Sequence, residues 1–135
     1  MAIFFPSKEM LLVLTFSFSL IRFGSSLSLY DYDIEINNGS FYLPLVTKCT
    51  ANGKPVGAMT IKPRSSQGFK CPWLVGKRSL ATCDMSLGNF RGRFDLFDSN
   101  RDLKRCNGKF CSWFINEGGL FLRIDGLNVL QYRWP

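Results

Sequence analysis

The sequence predicts an all-β protein, an antiparallel β-sandwich of about eight strands stabilised by disulfides. Three observations carry that expectation: segments with a period of two recur at close spacing, no helical repeat of useful length follows residue 28, and 15% of the residues are aromatic. The first strand lies where Tyr32, Ile34 and Ile36 alternate with Asp31, Asp33 and Glu35, as expected when one face is buried and the other meets solvent. Asn37-Asn38-Gly39-Ser40 forms a turn, and apolar character resumes over residues 41–49, where Pro44 fits a strand that begins late or lies at an edge. Residues 51–57, with Asn52-Gly53 and Pro55, read as a loop.

Short strands are expected over residues 59–62 and 69–75, separated by residues 63–68, and again over 79–85 and 90–97. In the last of these Phe94 and Leu96 face inward while Arg91, Arg93 and Asp95 face out. Strands over 112–116 and 120–124 flank Glu117-Gly118-Gly119, a hairpin connection in which glycine supplies positive φ. Trp73 and Trp113 fall within strand patterns and are expected in the core, with Trp134 covering a sheet edge or standing exposed.

Residues 1–28 read as an export signal and 29–135 as the folded domain. Lys8 precedes twelve mostly apolar residues, 10–21, far fewer than the roughly 20 that span a bilayer, and small residues at Gly24, Ser26 and Ser28 suit signal peptidase. A membrane anchor is the competing reading, opposed by that length and by Arg22. The chain is thus expected to be secreted. The formal charge is +7, and losing Lys8, Arg22 and Glu9 with the signal leaves 15 basic against 9 acidic residues, a net of +6.

The 135 residues contain no histidine. That removes Ser-His-Asp and Cys-His nucleophile pairs, histidine-based ribonuclease chemistry, H-E-x-x-H zinc sites and imidazole pH switches. No cofactor and no metal are expected. Cys106 and Cys111 are too poorly spaced for a structural zinc site without a histidine or a second close pair.

Five cysteines in an exported chain imply two bridges and one leftover thiol, for which 15 arrangements exist. Cys106 and Cys111 are close enough to close a tight loop around Asn107-Gly108-Lys109, and theirs is the most readily defended pair. A six-residue loop is worth about 2 kcal/mol and one near 35 residues about 4 kcal/mol in the chain-entropy account.

The run Phe94-Asp-Leu-Phe-Asp98, Arg101-Asp102, Arg105-Cys106, Cys111-Ser-Trp113, Ile115 and Glu117-Gly118-Gly119-Leu120 resembles the C-terminal half of the plant self-incompatibility S-protein homologue family. Ile36-Asn37-Asn38 and Lys48-Cys49 are similar to its N-terminal strand pair, and the resemblance covers nearly all of residues 29–135. It implies a small secreted plant protein, a sandwich of two antiparallel sheets, no enzymatic activity, and a role as a recognition signal at a cell-surface receptor in self-incompatibility, reproduction or development. Carried over by position, it pairs Cys49 with Cys83 and Cys106 with Cys111 and leaves Cys71 without a counterpart. The segments Thr50-Ala-Asn-Gly53 and Leu80-Ala-Thr-Cys83 depart from the family pattern.

Asp95, Asp98 and Asp102 invite a paired-carboxylate glycosidase reading, yet Arg91, Arg93, Arg101 and Arg105 surround them and keep carboxylates ionised. Asp98, Arg101 and Asp102 are instead expected to shape a loop that, with Lys104, Arg105 and Lys109, forms a constrained, basic recognition element. Asp31, Asp33 and Glu35 are spaced about 7 Å apart on an extended strand and converge poorly on a cation. Asn38-Gly39-Ser40 is a glycosylation sequon in an expected turn.

Export and the lack of a nucleic-acid module exclude DNA and RNA as partners; acidic cell-wall polymers or an anionic membrane surface suit the charge better. The chain is expected to be a monomer, with Cys71 either a buried thiol among Phe69, Pro72 and Trp73 or the link in a dimer. A second functional reading of the same charge is a cationic defence protein that disrupts microbial membranes.

Overall fold

The computed structural model describes residues 28–135. The expected signal segment, residues 1–28, lies outside the described residues except for Ser28. Among those described, the chain forms nine strands: β1 (Ser28–Asn38), β2 (Leu45–Ala51), β3 (Lys54–Ile61), β4 (Ser66–Leu74), β5 (Leu80–Leu87), β6 (Phe90–Asp98), β7 (Phe110–Asn116), β8 (Gly119–Ile124) and β9 (Leu127–Tyr132). One helical turn, α1 (Ser99–Asp102), lies between β6 and β7. A five-stranded sheet in the order β4-β1-β7-β8-β9 packs on a four-stranded sheet in the order β3-β2-β5-β6.

The period-two segments form strands as expected because each buries its apolar half against the other sheet, at roughly 1.5–3 kcal/mol for each large side chain. Ile34, Ile36, Trp113, Ile115, Leu120 and Leu122 meet Leu45, Met85, Leu87, Phe94, Leu96 and Phe97 in one core. Trp113 also donates its indole N–H to the Leu96 carbonyl at 3.0 Å, tying β7 to β6 across the two sheets. Phe97 is buried beside Leu96 because a register shift in the β5–β6 pair, between Ala81 and Thr82, breaks the alternation.

Four expectations need correction. Six of the seven strand pairings are antiparallel, but β1 and β7 run parallel, joined by the whole of β2–β6. Residues 51–57 do not form a loop: Asn52 (φ 53°) and Gly53 (φ 82°) make a two-residue turn of the kind that suits hairpin twist, and β3 starts at Lys54. Asp125 (φ 51°) and Gly126 (φ 79°) do the same between β8 and a ninth strand, β9. Trp73 is only half-buried, stacked on Tyr30 with ring centroids 5.3 Å apart, because β4 is an edge strand.

The edges also explain the prolines. Pro55 on β3 and Pro72 on β4 sit in the outermost strands, where a missing N–H costs no central ladder bond. Disulfides join Cys49 to Cys83, directly opposite on β2 and β5, and Cys106 to Cys111, with Cα separations of 4.0 and 4.8 Å.

Candidate functional site

Strand directions gather the connections at two ends. One end carries the segment from Asp98 to Phe110, and its chemistry is organised around a carboxylate with no solvent exposure, Asp102 (0%). Arg101 donates Nε to Oδ1 at 2.7 Å and Nη2 to Oδ2 at 2.6 Å, Arg105 Nη1 lies 3.3 Å from Oδ1, and the Asp98 backbone N–H donates to Oδ2 at 2.9 Å. A buried charge is tolerable only with such a shell. The Asp102 hydrogen bond holds the Arg101 guanidinium above its ordinary range, despite partial burial.

Asp98 caps α1 by accepting from Asn100 N at 3.0 Å and also pairs with Arg78. The hydrogen bond from Arg78 keeps its carboxyl below the usual carboxylate range, so Asp98 is fitted to hold charge and not to donate a proton. Arg101 reaches on to the Tyr132 hydroxyl (2.6 Å) and the Asp95 carbonyl (3.0 Å), and Arg105 bonds Gln131, so the loop is fastened to β6 and β9.

The expected recognition set therefore divides. Asp98, Arg101, Asp102 and Arg105 are engaged within the molecule, as a buried carboxylate requires, with the two guanidinium groups partly exposed. Lys104 and Lys109 are exposed, with Lys109 Nζ 4.1 Å from the centre of the Tyr30 ring. Arg78 and Tyr132 belong to this cluster and were not legible as members from sequence, since 20 and 31 residues separate them from Asp98 and Arg101.

At the opposite end stands the expected sequon. Asn38 is the last residue of β1 and 2% exposed: its Nδ2 donates to the carbonyls of Leu43 (2.8 Å) and Ile61 (2.9 Å), and its Oδ1 accepts from Ser40 N at 3.0 Å. The expectation of an accessible turn is overturned, because a glycan would have to replace one of the two amide hydrogens that hold the loop shut. Ser40, also buried, donates its hydroxyl to Glu117 at 2.8 Å and accepts from Leu43 N at 3.1 Å. Asn-Gly-Ser is here a hydrogen-bonding frame for a loop.

That frame presents Phe41 and Tyr42, which fall in the expected apolar stretch 41–49 ahead of a strand that begins late, and which are 69% and 87% exposed. Their ring centroids are 6.4 Å apart, and the Arg64 guanidinium sits 4.6 Å from the Phe41 centroid while donating Nη1 to the Gly39 carbonyl at 3.2 Å. The signal in the sequence was Pro44, which delays the strand to Leu45 and leaves both rings outside it.

The acidic face of β1 does not converge on an ion. Asp33 pairs with Lys70 at 2.7 Å, and Glu35 accepts from Ser112 at 2.9 Å. Cys71 is free and fully buried; burial, helped by the charge of Asp31, pushes its thiol up to about 11. A dimer linked through Cys71 is corrected accordingly, since a partner sulfur reaches it only by opening the sheet. Trp134 covers Phe90 and Phe94 beside the chain end.

These features define a small, disulfide-bridged sandwich in which most charged chemistry fixes loops in place. The family model for plant self-incompatibility protein S1 matches residues 33–134, and the chain belongs to that family. No curated protein and no solved structure matches it. No helix among the described residues is long and apolar enough to cross a membrane.

Proposed function

We propose that this protein is a secreted, non-enzymatic plant recognition signal that docks on a cell-surface receptor. The observation that carries the reading is the Phe41-Tyr42 tip: two rings held in solvent by a loop whose frame residues, Asn38 and Ser40, are buried and hydrogen-bonded. Exposing large aromatics is unfavourable for a molecule that stays alone, and fixing them beforehand lowers the entropy lost on binding a protein partner. Membership in the self-incompatibility family supports the same role.

The test is binding of labelled full-length secreted protein to plant cells stripped of their walls. Saturable binding, displaced by unlabelled protein, is expected. Non-saturable uptake accompanied by lysis that weakens steeply with salt would favour the membrane-disrupting reading instead.

A further inference from the structure

The outer face of the five-stranded sheet carries two adjoining depressions of about 560 and 470 Å³, which share Glu35, Ser112 and Arg123 as a common wall. Lys104 borders one and Arg64 the other, so together they form a trough along β1 between the two ends of the sandwich. Its middle is polar and held in place. Ser112 and Asn37 both donate to Glu35 Oε1, at 2.9 and 3.1 Å, while Oε2 has no partner among the described residues. Arg123 and Lys104 are exposed and likewise without an ion pair among the described residues. Phe110, 43% exposed, adds a flat apolar surface at the Lys104 end.

We propose that this trough binds a linear acidic oligosaccharide, a chain of sugar carboxylates. The separated cations Lys104, Arg123 and Arg64 match carboxylates spaced along a chain, Glu35 accepts hydroxyls, and Phe110 takes the apolar face of a pyranose ring. Two carboxylates amid the cations, Glu35 and Asp125, suit a ligand that carries hydroxyls as well as charge and oppose a densely charged polyphosphate. A strand-adding peptide would pair along a sheet edge, whereas the wall common to both depressions, Glu35, Ser112 and Arg123, lies on the interior strands β1, β7 and β8, and the edge strands contribute only Ser66 and Asn128. The trough meets the Phe41-Tyr42 tip at Asn38 and Arg64, whereas Arg123, Lys104 and Phe110 lie away from it, so binding there is tested without a receptor.

The experiment is titration calorimetry of the full-length secreted protein with oligogalacturonate, its methyl ester and polyglutamate of matched charge. Oligogalacturonate should bind, with the ester and polyglutamate each roughly tenfold weaker or worse. Arg123→Gln should lose about tenfold and Phe110→Ala several-fold, the latter without any change in net charge. Lys48→Gln on β2, in the other sheet, should change little. Absence of oligogalacturonate binding overturns the proposal. Equal affinity for polyglutamate, or equal loss from Lys48→Gln and Arg123→Gln, also overturns it, because either describes general attraction to a basic surface. Thermal unfolding of each variant separates lost binding from lost fold.

Discussion

The two ends of the sandwich use polar side chains in opposite ways. At the Asp102 end the charged groups face one another: of the six residues that the sequence marks as a recognition loop, Asp98, Arg101 and Arg105 close around the buried carboxylate of Asp102, and Lys104 and Lys109 are left in solvent. At the Phe41 end the polar groups are small and hidden, Asn38 and Ser40, and what they hold out is aromatic. A dense run of charge thus marks a clamp, and a modest Asn-Gly-Ser turn marks a presented surface.

The contrast can be sharpened most by Asp102→Asn. It leaves two guanidinium groups without their counter-charge, and about 3 kcal/mol of stability should be lost in urea unfolding, as when one partner is removed from a buried pair. A loss below about 1 kcal/mol would mean that the clamp is ornamental to stability. Asn38→Ala at the other end should cost about 2–3 kcal/mol, because it leaves the Leu43 and Ile61 carbonyls unpaired. Intact mass of the protein expressed in plant cells should show Asn38 unmodified, and a glycan there would break the account of that loop.

Alkaline titration probes the sheet between the ends. Cys71 titrates near 9 when unfolded and about 11 when folded, so the unfolded state releases its proton first, and stability should fall as pH rises from 9 to 11. Burial raises Tyr32 from 10 to about 12 and extends the decline. The Cys71 share is about 2 kcal/mol at most and should vanish in Cys71→Ala, measured as the difference in Tm between pH 7 and pH 10.5. The smallest effect is expected from Tyr42→Ala, which should leave stability unchanged within about 0.5 kcal/mol because the ring is exposed.

Much of the fold was legible because alternation reports burial directly. Asp31 through Ile36 and the Phe94 and Leu96 pair stand as read, and the expected Glu117-Gly118-Gly119 connection is one residue shorter, because Gly119 already pairs with Asn116 as the first residue of β8. Two hairpins escaped although Asn52-Gly53 and Asp125-Gly126 are strong turn signals, since proline at 55 and the polar residues around 125–128 obscured the flanking strands. The parallel β1–β7 pair is a property of topology, which local pattern does not encode. In the site, charge type and position were visible, but direction was not: whether Arg101 turns inward depends on Tyr132 and Asp95, supplied by other strands.

The most direct test of the account compares the two ends in one assay on wall-free plant cells. Phe41→Ala/Tyr42→Ala should weaken saturable binding of the full-length protein at least about tenfold with Tm unchanged, the size expected for exposed aromatic anchors. Lys104→Gln/Lys109→Gln should weaken it less than about threefold, as rim charges do. The reverse order, with the aromatic variant binding as wild type and the lysine variant failing, would contradict the account and return recognition to the charged loop.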